Sequence, residues 1–384
     1  PKEAVNIDPQ MRAILQQMGQ PIPQSEDPYE YLERILQTQK YDVRRVELTK
    51  ESPLPDEYDT LAVINPRDLN ERQRWEIGRA LRSGKSVILA TQKYEWEYRA
   101  TARGNTVTRR DENPGVNELL SHYGVEVDAN ILMDPSSVTL SVQTGNLMQD
   151  LQGGQPFNLP MHILVNNDTM DPETSITSRL SNIFYLWGTA LQLDEDKLES
   201  HGLEKRVLMT SSPQAWTVPA DAPMSQDSFT PPASGRKAYP LMAMIEGIFP
   251  DAFAEQERPA WPKPQQQPGQ PPMPDLDDDT PEAPAPEIEV KPGRLILLGC
   301  AEMFRKNFLQ AGNLDLFLNS VDAVTLNEHL VNVRSRKPIE RRIAPPTEGQ
   351  KTMWRLANYG LANVVIAAVG VSLFLARRRA RNEY

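Results

Sequence analysis

The sequence predicts an α/β fold: a mostly parallel sheet flanked by helices, plus one C-terminal transmembrane helix. Three observations carry this expectation. Residues 60–65 and 86–91 are continuous apolar runs, as strands buried on both faces require. An amphipathic helical pattern at residues 70–82 lies between them, and that order gives parallel strands with right-handed crossovers. Near the end, residues 356–376 carry no charge over about 21 residues, roughly 31 Å of helix, enough to cross a hydrocarbon core.

Residues 1–28 are polar and read as an irregular N-terminal segment. A helix follows over residues 28–39, with Asp27 as its cap, Pro28 in the first turn and Tyr31, Leu32, Ile35 and Leu36 on one face. Residues 41–48 alternate as Tyr-x-Val-x-x-Val-x-Leu and predict a strand. Pro66 ends the run 60–65, Asn70 caps the next helix, and Gly84 stops it. The polar stretch 92–111 is expected to be a mobile loop. A short helix at 116–123 ends on Gly124 and leads to a strand near 131–133. Further strands are expected at 157–165, 206–210 and 239–248, and residues 176–193 hold the aromatic cluster Phe184, Tyr185 and Trp187.

Residues 257–293 are about one-third proline, with glutamine runs and Asp277, Asp278 and Asp279. Such a segment buries too little surface to offset its ordering entropy, so it reads as disordered. A strand at 294–299 and a helix at 314–324 then resume the fold, which makes the Pro-rich stretch an insertion. The expected organisation is an α/β domain over 29–256 completed by 294–331, a juxtamembrane stalk at 332–355, the membrane helix at 356–376 and a basic tail at 377–384.

Orientation follows from Arg377, Arg378, Arg379 and Arg381. Positive residues flanking a span stay in the cytoplasm, which places the preceding chain outside, in the periplasm of a cell with an inner membrane. Lys351 and Arg355 at the other end weaken the contrast. Gly360, Ala368, Ser372 and Ala376 are the candidate helix-packing positions; the last three have the small-residue spacing that lets helices approach closely. Pro1 follows no visible signal peptide, so an upstream signal or anchor is expected to lie outside this sequence.

Composition removes several function classes. The chain has 384 residues, 39 % hydrophobic, with a net charge of -11, which opposes nucleic-acid binding because counterion release needs a basic face. Mean hydropathy is -0.53, a deficit concentrated in the Pro-rich stretch. The single cysteine, Cys300, excludes an intramolecular disulfide and reads as a small core residue. Residues 82–86 (Arg-Ser-Gly-Lys-Ser) look like part of a phosphate loop, but a helix runs into a strand there, the reverse of what anion binding needs. His122, His162, His201 and His329 are scattered without metal-ligand spacing, so no metal or cofactor is expected. Arg334, Arg336, Lys337, Arg341 and Arg342 in the stalk suit lipid headgroups or an acidic partner as well as plain solvation.

The ordered set of segments resembles a known family. It comprises Tyr41-Asp-Val, residues 59–66 (Asp-Thr-Leu-Ala-Val-Ile-Asn-Pro), Leu69-Asn-Glu-Arg-Gln, and residues 82–89 (Arg-Ser-Gly-Lys-Ser-Val-Ile-Leu). It continues with residues 116–124 and 132–134, then residues 209–216, 240–247, 293–299 and 312–322, and ends with Asn358-Tyr-Gly before the apolar helix. Together these look like the GldG-like auxiliary component of ABC-2-type transporters, associated with gliding motility. That family's domain is similar to an intraflagellar-transport N-terminal domain and to amidotransferase-like folds. Cys300 stands where family members usually carry an acidic or polar residue, and the Pro-rich insertion is unusual.

The resemblance implies a non-enzymatic subunit working with an ABC-2-type permease and a separate ATPase, with room for a second extracytoplasmic companion protein, all at a lipid bilayer. It names no cargo. Two other readings stand beside it: a membrane-tethered hydrolase or amidotransferase-like enzyme, with Cys300 as nucleophile, and a purely structural envelope tether.

Overall fold

The computed structural model describes residues 3–4, 16–18, 25–55, 57–101, 104–142, 155–224, 226–262, 285–309, 311–325, 353 and 370–375. The chain divides into two compact units, Pro1–Arg334 and Ser335–Tyr384.

In the first unit, β1 (Glu3–Ala4) pairs with β2 (Ser25–Glu26), and α1 spans Glu30–Thr38. Strand β3 (Thr60–Ile64), helix α2 (Glu71–Arg82) and strand β4 (Ser86–Ala90) follow. Helix α2 starts as its sequence dictates. Asn70 Oδ1 accepts from the Gln73 amide, and the Gln73 side chain accepts from the Asn70 amide, a capping box contributing about 1 kcal/mol. Gly84, at φ +81°, ends it. A hairpin of β5 (Tyr94–Thr101) and β6 (Gly104–Asp111) comes next, then α3 (Asn117–Leu120) and the short strands β7 (Val125–Val127) and β8 (Ile131–Met133). Strands β9 (Ser137–Val142), β10 (Gln155–Asn166) and β11 (Asn182–Leu186) form an antiparallel sheet. Strand β12 (Leu191–Leu193), α4 (Glu195–Ser200), β13 (Glu204–Thr210), β14 (Trp216–Val218), β15 (Pro240–Gly247), β16 (Gly293–Leu298) and α5 (Ala311–Thr325) complete the unit.

The central sheet has the order β13-β15-β16-β4-β3. The β16–β4 and β4–β3 pairings are parallel and the β13–β15 and β15–β16 pairings antiparallel, so β15 alone runs against the other four strands. The expected mostly parallel sheet is thus a mixed one, reversed at β15. The apolar run in β15 misled because it records burial on both faces, which an antiparallel strand inside a covered sheet shares. Strands β15 and β16 need no crossover, since the Pro-rich stretch joins neighbours and Gly247 stands opposite Gly293.

Alternate residues feed two cores. Ile88, Ala90, Met242, Met244, Ile296 and Leu298 face α1, α5 and the β10–β11 pair. Val87, Leu89, Ala243, Ile245, Leu295 and Leu297 face α2 and α3. A third cluster, built on Tyr94, Trp96, Met161, Phe184, Trp187 and Trp216, lies under the β5–β6 hairpin.

Two further expectations are corrected. Residues 92–111 are not a loop throughout: Tyr94, Trp96 and Tyr98 alternate along β5 and pin the hairpin to that third cluster. Residues 41–48 make no β-ladder, although their exposure alternates on either side of the adjacent exposed pair Arg44 and Arg45. Alternation specifies which face is buried; it does not supply a neighbouring strand.

In the second unit, residues 370–375 are helical, and Val371, Leu373, Phe374 and Leu375 are exposed. Among the described residues no helix is long and apolar enough to cross a membrane. Most of the expected span at 356–376 lies outside the described residues, as do Gly360, Ala368, Ala376, Arg377, Arg378, Arg379 and Arg381.

Candidate functional site

Open α/β sheets bind ligands beyond the carboxyl ends of their parallel strands. Here those ends are Asn65 after β3, Thr91 and Gln92 after β4, and Gly299 and Cys300 after β16. Gln92 fills the crevice. Its Nε2 donates to the Tyr94 and Trp187 carbonyls at 2.8 and 2.9 Å, and its Oε1 accepts from the Ala301 and Glu302 amides at 2.9 and 3.1 Å. All four groups are main chain, so one buried side chain does what a ligand would do in an open crevice.

Cys300 directly precedes Ala301, one of the residues Gln92 binds. It is fully buried, and its thiol donates to the Leu186 carbonyl at 3.1 Å. Burial pushes the thiol pKa up to about 12, which disfavours the thiolate a nucleophile needs. Gly299 shows how tightly the floor packs: a Cβ there would sit 2.3 Å from the Thr189 carbonyl oxygen. No group of three metal-ligating side chains occurs among the described residues.

An ion network covers the crevice. Arg67 and Arg110 meet Glu112 at 3.2 and 2.7 Å, and both also approach Glu95. Arg305 joins Glu95 to the buried Glu302 at 3.7 and 3.4 Å. The hairpin, the end of β3 and the turn after β16 are thereby tied together.

Below the hairpin a polar relay runs through the third core. The Trp187 indole donates to the Tyr98 hydroxyl at 2.6 Å, and Tyr98 contacts His162 Nε2 at 2.7 Å. His162 Nδ1 lies 3.2 Å from the Val138 carbonyl. A carbonyl only accepts, so Nδ1 carries the proton and Nε2 accepts from Tyr98. Burial, partly offset by its backbone hydrogen bonds, lowers the His162 pKa to about 4, so the ring is neutral near pH 7.

The open surface lies elsewhere, along the free edge of β3. A groove of about 1100 Å³ is walled by α1, residues 41–48 and the outer edge of β3. At its end Asn65, in a left-handed conformation at φ +51°, donates from Nδ2 to the Tyr29 hydroxyl at 3.1 Å.

Helix α2, which also lines this groove through Gln73 and Ile77, carries a stack of cations and rings. The Arg72 guanidinium lies 5.1 Å from the Trp75 ring and 4.6 Å from the Trp261 ring, while Arg258 and Arg79 also lie over Trp75. Arg72 donates to Glu76 and to the Pro259 carbonyl, both at 2.9 Å, and Arg79 donates to the Pro286 carbonyl. Both flanks of the Pro-rich stretch are thus anchored to this helix.

A family model described as an ABC-type uncharacterized transport system, of the auxiliary-component type, matches residues 13–320. The chain belongs to this family. No curated protein matches the sequence. A solved structure, the mmIFT52 N-terminal domain, is 12 % identical over 70 % of this chain and 77 % of that one. The TM-score between the two is 0.36.

The matched region of this ABC-transport auxiliary component includes the sheet, the plugged crevice and the β3 groove. Ser372 is the one membrane-helix candidate among the described residues; Asp277 to Asp279, His329 and the stalk cations lie outside them. Residues 82–86 behave as their order implied: Ser83 closes α2, Gly84 turns the chain, and Lys85 rests 5.1 Å from the Tyr58 ring. Sequence reasoning missed Gln92, the Tyr98–His162 relay and the Arg72–Trp261 stack. Only the stack left a readable trace, in the helical spacing of Arg72, Trp75 and Arg79.

Proposed function

We propose that this auxiliary component is a non-enzymatic subunit whose folded unit engages cargo or a companion protein outside the cytoplasmic membrane. Its C-terminal helix docks on an ABC-2-type permease, and a separate ATPase subunit supplies the energy. The plugged crevice favours this reading over the enzymatic one. Where a doubly wound enzyme presents its reactive groups, this chain holds a glutamine spent on four main-chain groups and a thiol kept protonated.

The test is isolation of the full-length chain from its native membrane in mild detergent. The expected result is recovery with a permease and an ATPase subunit; recovery as a lone monomer would overturn the proposal. The same preparation reports orientation. Cys300 is the single cysteine of this sequence and is buried, so a cysteine introduced at the exposed Ile248 is the reactive site for a membrane-impermeant maleimide on intact, outer-membrane-permeabilised cells. Labelling only after lysis would contradict the extracytoplasmic placement.

A further inference from the structure

We infer that the outer edge of β3 is a slot for an extended, positively charged segment of a partner polypeptide, which adds to the central sheet as its sixth strand. The register fixes which groups face the slot. The Asn65 amide donates to Ala90 and the Ser86 amide to Asp59, so residues 59, 61, 63 and 65 point their main-chain groups at β4. Thr60, Ala62 and Ile64 therefore turn theirs outward, away from the sheet. Among the described residues these outward N–H and C=O groups have no main-chain partner.

Edge strands in folded proteins are ordinarily short, charged or covered. β3 lacks an outward lysine or proline and is instead recessed, with all five of its residues lining the groove of about 1100 Å³. The far wall, residues 41–48, is held off the edge by side-chain ties: Arg45 to Asp27, Tyr41 to Asp322, and Gln73 to the Leu48 carbonyl at 3.1 Å. The groove lies between these two extended segments.

Charge identifies the occupant. The lining holds seven carboxylates, on Asp27, Glu30, Glu33, Asp42, Glu47, Glu57 and Asp59, against three arginines and no lysine. Each of those arginines already meets a carboxylate: Arg44 with Asp42, Arg45 with Asp27, and Arg67 with Glu112. A cationic strand gains from this field and an anionic one is repelled. Main-chain pairing supplies affinity, and the alternating side chains supply selection.

The proposal names a surface for the engaging role above and rests on that reading. A peptide assay tests the slot alone, whereas co-purification tests the role. The probes are a capped heptapeptide alternating valine with lysine and its glutamate counterpart, each added to the full chain during hydrogen exchange. The lysine peptide is expected to slow exchange at the Thr60, Ala62 and Ile64 amides at least tenfold, and the glutamate peptide to leave them fast. Ala62→Pro removes one outward donor at an edge, where proline is tolerated, and should abolish the effect. N-methylation of alternate peptide residues should do the same without touching the protein. Three results would overturn the slot: protection of these amides in the protein alone, equal action of both peptides, or indifference to N-methylation.

Discussion

The Tyr98 hydroxyl and His162 Nε2 are 2.7 Å apart in a buried core, and burial keeps the ring neutral. Between about pH 6.5 and 4 the unfolded chain takes up a proton that folded His162 refuses. Stability should therefore fall as the pH drops through that window, by up to about 3 kcal/mol from this residue. Above pH 6.5 both states are neutral, and the histidine adds no slope. Urea unfolding at stepped pH, compared with His162→Gln, checks this: the variant should be less stable at pH 7 and flatter below it. A slope unchanged by the substitution would refute the assignment.

Gln92→Leu keeps the approximate size of the plug and removes its polar atoms. Two buried carbonyls and two buried amides lose their partner, so a loss of about 3–5 kcal/mol is expected. Thermal unfolding measures it. A loss below about 1 kcal/mol would mean that water replaces the side chain and that the crevice is more open than the hydrogen bonds imply.

For Cys300 the expectation is inertness. A thiol held at about pKa 12 and fully buried should resist iodoacetamide in the native protein and react promptly in denaturant. Cys300→Ala should leave complex assembly unchanged. Fast native alkylation, or loss of a turnover in a folded Cys300→Ala protein, would revive the hydrolase or amidotransferase-like reading.

Trp261→Ala should unfasten the start of the Pro-rich stretch from α2. The lost stacking on Arg72 amounts to about 1–2 kcal/mol, and Arg72 keeps its bond to the Glu76 carboxylate. Limited proteolysis is the sensitive readout: cleavage near residues 255–262 should accelerate while the sheet core stays resistant. Equal cleavage in both proteins would show that the tryptophan anchors nothing.

Much of the central sheet was legible because burial on two faces leaves unbroken apolar runs, and caps such as Asn70 and Gly84 are local chemistry. The reversal of β15 was not legible. The run in β15 is the same whether its neighbour runs with it or against it, and only the chain path from Gly247 to Gly293 decides. The hairpin was readable in principle from the alternation of Tyr94, Trp96 and Tyr98, which the polar residues between them obscured. The plugged crevice was out of reach, because Gln92 acquires its meaning from main-chain groups almost 210 positions later in the sequence. For residues 41–48 the pattern was strand-like, yet a pattern cannot specify that the adjoining edge stays vacant.

Gly247 and Gly293 close the antiparallel ladder on either side of the Pro-rich stretch, so the polypeptide leaves and re-enters the sheet at one rung. Closure entropy grows only with the logarithm of loop length, so the sheet is nearly indifferent to how long that excursion is. A fluorescent reporter or purification handle grafted between residues 263 and 284 would leave the anchors at Pro259, Trp261 and Pro286 in place. It would mark the protein in living cells without disturbing either chain terminus.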